Sequence, residues 1–265
     1  MIRGLLYLDE NLASSIALRY ASQLTELIQL QLQTIHVEEP DRKQHSAGSG
    51  WVRRTWEKGL QDTGLQRVQR LLNMEKVHCI FAGPPKVVVG DRDDEILEEL
   101  RIGGYDLFLE GNLNTAEKAD FFDLIGSRLY TRMICPVMIV KNMLVTEKTV
   151  LLCGDGVDHR RMIPQFLKIM DGARLDLELL FYKYQENDEP IFLEKSAAGG
   201  FLEEAETILS DNGWAPTRSQ VLTGTPEQVG DYLRNYGLVV STFPTRKSPR
   251  METLAHAPAS VLLCR

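Results

Sequence analysis

Two aspartates, Asp9 and Asp155, each end a short apolar run, Leu5-Leu6-Tyr7-Leu8 and Leu151-Leu152-Cys153-Gly154. A carboxylate at the end of a buried strand either meets a ligand or caps the turn that follows, and both readings stand for each residue. The acids from Asp91 to Glu99 could suggest a cation site. Asp91 with Asp94 three residues on reads instead as a helix N-cap, and acids in a first turn suit the positive end of the helix dipole. The four cysteines lie far apart in apolar runs without CxxC spacing, which predicts small buried hydrophobes in a reducing cytoplasm. The histidines are dispersed, and His36 at a strand end reads as a structural hydrogen-bonding group. No Ser-His-Asp set, carboxylate pair or GxGxxG stands out, so no catalytic residue is assigned and no enzyme is expected, a slow ATPase being the enzymatic alternative.

The elements that must position these residues come as one pattern written twice. Ile2–Leu8 reads as a buried strand, and Ala13, Ile16, Ala17, Tyr20, Leu24 and Leu27 follow at helical spacing. Leu30–Val37 alternates as a strand and stops at Glu38-Glu39-Pro40, a β-α-β start with a right-handed crossover. Residues 41–62 read as a polar loop, with helical spacing resuming over Leu60–Leu72. Lys86–Asp91, Tyr105–Leu109 and Cys135–Val140 supply further strands, with a loop and short helix over 112–133. The second pass runs through Thr149–Gly154, a helix over Met162–Met170, a strand over Leu175–Tyr182 and a helix over Gly199–Leu209. Then Val221–Gly224 leads to Thr225, Pro226 and Gln228, a helix-start signal. Leu238–Val240 and Ala259–Leu263 close it. Repetition of one order, with the same Asp and the same Gly turn, places one domain over 1–143 and a second over 147–265.

At 265 residues with a net charge of −7, the chain suits two ordinary domains and argues against a general nucleic-acid surface. No segment approaches the ~18 apolar residues of a membrane span, and the first residues read as a strand and not as a signal peptide.

The ordered landmarks resemble the universal stress protein family. They are Leu5–Asp9, Ile35–Pro40, Val89-Gly90-Asp91, and Gly126-Ser127 followed by Cys135-Pro136-Val137 in the first half. In the second half they are Leu152–Gly156, Thr223–Pro226 and His256–Val261. The resemblance implies two tandem doubly wound five-stranded parallel-sheet α/β domains, adenine nucleotide α-hydrolase-like, packed as an intramolecular pseudo-dimer. It implies an ATP or AMP site at the carboxyl ends of the strands, with Mg²⁺ if the nucleotide is a triphosphate. Asp9 would sit near the ribose, Val37 would meet the adenine through its backbone, and Gly111, Asn114, Gly126 and Ser127 would form the phosphate loop.

The chain departs from that pattern. Asn114 stands for the second glycine, the gap from Asn114 to Gly126 is two residues too long, and Glu110, Glu117, Asp120 and Asp123 surround the loop against only Lys118. The second half departs further: Ser241 replaces the first glycine and Lys247-Ser248 replaces Gly-Ser, which argues against ordinary ATP binding there. Arg246, Lys247 and Arg250 remain able to meet some other anion. Phe121-Phe122 reads as cover for a sheet edge or a partner contact. The expectation is a cytoplasmic stress-response regulator with adenine nucleotide in its first half and protein partners or a homodimer. The alternative is an interaction scaffold without any cofactor. Neither involves nucleic acid or a membrane.

Overall fold

The computed structural model describes residues 1–40, 50–113, 118–145, 147–244 and 247–265, with only the backbone of residue 118. β1 (Ile2–Tyr7) alternates side chains between two faces, so Leu5 and Leu6 enter opposite core layers. α1 (Leu12–Leu27) starts where Asn11 accepts from the Ser14 N–H, and it lays Ala17, Leu18, Tyr20 and Leu24 on the sheet. β2 (Leu30–Glu38) then returns parallel to β1 with Leu5 opposite Gln33. The β-α-β start is as the spacing predicts.

α2 (Trp51–Glu75) begins nine residues before the Leu60 start that its spacing suggests, because its first turns are solvated and carry no buried apolar stripe. The first part of the expected loop, 41–49, lies outside the described residues. The third strand is split: β3 (Ile80–Phe81) and β4 (Lys86–Val89) both pair parallel to β2. α3 (Arg92–Gly103) opens as expected, with Asp91 as N-cap accepting from the Asp94 N–H. β5 (Leu107–Gly111), α4 (Lys118–Gly126), α5 (Arg128–Thr131) and β6 (Val137–Val140) complete the first pass.

The second pass comprises β7 (Lys148–Gly154), α6 (His159–Ile169), β8 (Asp176–Tyr184), β9 (Ile191–Leu193), α7 (Phe201–Asp211) and β10 (Arg218–Gly224). α8 (Pro226–Tyr232), β11 (Leu238–Thr242), α9 (Pro249–His256) and β12 (Ser260–Cys264) follow. Thr225 and Gln228 form the expected capping box at the start of α8. Among the described residues β9 has no antiparallel counterpart in the first pass; it pairs antiparallel to β10 at the sheet edge.

The strands form one twelve-stranded sheet in the order β3-β2-β1-β5-β6-β12-β11-β7-β8-β10-β9, with β4 also on β2. Apart from the antiparallel β9, each pass is a doubly wound parallel sheet whose order reverses beside its first strand, β1 or β7. The two passes meet through their last strands: β6 and β12 run antiparallel with Ile139 opposite Val261. The expected packing of two such units side by side thus takes the form of one continuous sheet. Pairing β6 with β12 satisfies backbone groups that a free edge would leave open.

Two apolar layers cover the faces, and each runs through both passes. Leu6, Phe166 and Leu202 share one layer; Leu5, Phe108, Phe121 and Leu254 share the other. At the seam, Lys141 is buried and donates from Nζ to the carbonyls of Leu254 (2.6 Å), Ala255 (3.4 Å) and Ala257 (2.9 Å). A residue that follows β6 thus closes the carboxyl end of α9, where a cation also meets the helix dipole favourably. Phe121 is fully buried, with the Lys141 ammonium 4.9 Å from its ring centre.

Cys135, Cys153 and Cys264 are buried as expected, whereas Cys79 is only partly covered. Burial raises the Cys135, Cys153 and Cys264 thiols to about 12, so none of the three is a thiolate nucleophile at neutral pH. His36 is 2% exposed and bonded at both ring nitrogens, to the Leu8 carbonyl (2.8 Å) and to Glu38 (3.2 Å). Among the described residues no helix is long and apolar enough to cross a membrane, and no His, Cys, Asp or Glu group could hold a metal ion.

Candidate functional site

Open α/β sheets bind ligands beyond the carboxyl ends of their strands, where the strand order reverses. This molecule has two such places, between β1 and β5 and between β7 and β11. Their described side chains are arranged in opposite ways.

In the first, the protein's own side chains meet across the crevice. Arg92, from the first turn of α3, forms an ion pair with Glu110 on β5, and its guanidinium lies over the Tyr7 ring at 4.4 Å. Tyr130, from α5, donates its hydroxyl to the other Glu110 oxygen. Glu110 is 4% exposed and Tyr130 is fully buried. Burial raises the Tyr130 phenol well above its ordinary value, and the Glu110 carboxylate pushes it further the same way. Burial works against the charge on Arg92, but Glu110, Tyr7 and Tyr130 together more than offset it, and the guanidinium stays cationic. Around this core, Arg128 pairs with Asp91 and Asp94, and Asp93 accepts from the Leu129 N–H (3.0 Å). Of the acids that a sequence reading sets against phosphate, Glu110 is thus consumed here, and with the α3 acids Asp91, Asp93 and Asp94 it holds α3, α5 and β5 together.

The residues singled out for a nucleotide lie around this cluster. Asp9 accepts from the Glu10 N–H (2.7 Å) and so caps the turn after β1, while its own N–H donates to Ser14 Oγ (2.8 Å). Val37 is buried opposite Val88. Gly111 is needed for close approach: a Cβ there would lie 2.0 Å from the Ala13 carbonyl oxygen, so α1 packs where a side chain would be. Gly126 ends α4, and a Cβ there would meet nothing within 4 Å. Ser127 is the N-cap of the four-residue α5, accepting from the Tyr130 N–H at 3.4 Å. Asn114 lies outside the described residues, as do Glu117 and the side chain of Lys118.

The second crevice holds a cavity of about 380 Å³, within the roughly 300–1,000 Å³ of small-molecule sites. Its walls come from Gly154-Asp155-Gly156 after β7, Tyr182 and Tyr184 at the end of β8, and Ser248-Pro249-Arg250 at the start of α9. Gly156 sits at φ +76 with nothing near its Cβ position, a turn that leaves the cavity wall open. Asp155 is exposed at the rim. Ser248 is the N-cap of α9, accepting from the Met251 N–H (3.3 Å), just as Ser127 caps α5. Both hydroxyls that stand at phosphate-binding positions thus serve helix ends.

Arg250 is the residue that sequence reasoning undervalued. It is 9% exposed, and one guanidinium nitrogen donates to Ser241 Oγ (2.9 Å), the Thr242 carbonyl (2.8 Å) and Thr242 Oγ1 (3.1 Å). Among the described residues no carboxylate lies within ion-pair distance. Burial pulls it down to about 10, which still leaves it charged at neutral pH. A desolvated cation with only neutral partners, beside a helix amino end and an open cavity, is suited to an anion. Arg246 is outside the described residues. In sequence terms β11 ends in the neutral residues Ser241 and Thr242, so Arg250 meets no acid of the kind that Glu110 gives Arg92.

No protein-family model and no curated protein matches the chain. Solved structures do. A universal stress protein from Archaeoglobus fulgidus DSM 4304 superposes with TM-score 0.64 at 17% identity, over 99% of this chain and 96% of that one. A functionally unknown protein from Pseudomonas aeruginosa PAO1 gives TM-score 0.58 at 17% identity, over 99% and 92%. At such identity the likeness is one of fold, and it extends over the whole length of both passes. The chain has the fold of that universal stress protein, an α/β architecture whose two passes share one mostly parallel sheet.

Proposed function

We propose that the protein is a regulator of the universal stress type that binds a phosphate-bearing small molecule, an adenine nucleotide, in its second-half crevice. The first half is the structural partner. The observation that carries this reading is the contrast at Arg250 and Arg92: one buried guanidinium faces a cavity with neutral partners, the other is neutralised by Glu110 across the first crevice. Tyr182 and Tyr184 offer flat faces to a base, Asp155 offers acceptors to a ribose, and Arg250 with the start of α9 offers charge to phosphate. A single guanidinium beside one helix amino end suits the charge of a monophosphate. The reading reverses the expectation that the first half carries the nucleotide. We take the two passes, near 1–143 and 147–265, as the domains that divide these roles.

Calorimetric titration with AMP, and with ATP with and without Mg²⁺, tests it on the wild type, Asp155→Ala and Ser127→Ala. Both positions are at caps or rims, so both variants should fold. Saturable AMP binding that survives Ser127→Ala and is lost in Asp155→Ala is expected. Loss in Ser127→Ala alone returns the nucleotide to the first half, and absence of binding to millimolar AMP leaves the interaction scaffold as the better account.

A further inference from the structure

A second cavity, of about 390 Å³, lies at the seam between the two passes, with Tyr130 of the first crevice in its lining. Phe122 and Ile125 from α4 form one wall, and Phe243 after β11 and Met251 on α9 form the other, so neither pass makes it alone. The charged residues lining it are both cations. The Lys247 ammonium sits 5.3 Å from the Phe122 ring centre, and the Arg265 guanidinium 5.0 Å from that of Phe243. Arg265 also donates to the carbonyls of Tyr130 (3.1 Å) and Thr131 (3.0 Å), while its main chain is tied to Gln165, with its N–H at 2.8 Å from the Gln165 side-chain oxygen. Among the described residues neither cation has a carboxylate partner within 4 Å.

An apolar chamber with two unneutralised cations at its lining is complementary to one kind of molecule. Its body must be apolar enough to fill the chamber, and its head must be an anion small enough to reach both charges. A nucleotide is a poor candidate, because its polar sugar and base edges would face Phe122, Ile125 and Met251 with few hydrogen-bond partners. We propose that this seam cavity is a binding site for a small amphipathic carboxylate, with its hydrocarbon or aromatic body between α4 and α9 and its carboxylate between Lys247 and Arg265. The site is independent of the nucleotide reading. Because its walls belong to both passes, occupancy would bear directly on how α4 rests on α9.

Decanoate is a suitable probe, with decanol as the uncharged molecule of the same length, each titrated calorimetrically into the full chain. Two variants complete the test. Lys247→Met removes one exposed cation and keeps a similar shape. Gly126→Phe adds a ring from the cavity wall at a position where a Cβ meets nothing within 4 Å. Decanoate should bind saturably at one site, at least about tenfold tighter than decanol, and Lys247→Met should weaken it by about tenfold while leaving decanol unchanged. Gly126→Phe should abolish binding of both, its unliganded melting curve reporting whether it folds; if it does not, the Lys247→Met comparison decides. Equal affinity for decanoate and decanol, non-saturating uptake, or wild-type affinity in Lys247→Met would each overturn the proposal.

Discussion

Arg92 and Arg250 set the character of the two crevices, and each can be tested by itself. Glu110 is the buried partner that keeps Arg92 inside the first crevice. Glu110→Ala should therefore cost about 3 kcal/mol in urea unfolding, the range for leaving one charge of a buried pair unpartnered. The double variant Arg92→Met with Glu110→Leu should recover most of that loss, because it removes both desolvated charges together. A double variant as unstable as the single one would mean that the cluster is held by something other than the pair. Neither residue could be assigned this role from the sequence. Arg92 and Glu110 lie on different elements, and Glu110 reads there as one more acid around a phosphate loop. Arg250 was visible only as one of three basic residues. What the sequence does carry is position, since Asp9 and Asp155 both fall at the ends of the strands beside which the order reverses.

Helix starts were the most legible elements, because a cap is a local pattern of a few residues. Asp91 with Asp94 and Thr225 with Gln228 were both readable, and both form the expected backbone bonds. Thr225→Ala should cost about 1 kcal/mol in unfolding free energy, as loss of an N-cap does in general. An effect near zero would show that Pro226 and the Gln228 side chain suffice to start α8. Elements defined by long-range pairing were less legible. β9 is three residues long with exposed side chains, and only its antiparallel register with β10 makes it a strand. α2 escaped at its amino end because only Gly64 and Val68 are buried along its whole length, so the apolar spacing that marks a helix is nearly absent.

The whole molecule is a single sheet sewn at β6 and β12, and Lys141 is the polar stitch across that seam. Burial lowers its ammonium to about 7. Above that pH the folded chain gives up a proton that the unfolded chain keeps up to about 10.5, so this group makes stability rise with pH between the two values and lowers it below pH 7. Three carbonyl acceptors oppose the shift, since a neutral amine offers only two N–H donors. The urea midpoint of the wild type should rise more steeply between about pH 6.5 and 9 than that of Lys141→Met, and equal slopes would contradict the assignment. The repeat that makes two passes was legible, because each β-α unit recurs in order. Their fusion into one sheet was not, since it depends on which edges pair and no residue type marks that.

The same scale decides function, for the account rests on the second pass and not the first holding the ligand. Photolabelling with 8-azidoadenosine monophosphate, followed by mapping of the labelled peptide, tests this most directly. The account predicts AMP-protectable label on the segments around Asp155 or Tyr182–Tyr184. Protectable label around Val37 or Gly111–Ser127, or label that AMP does not protect, would contradict it.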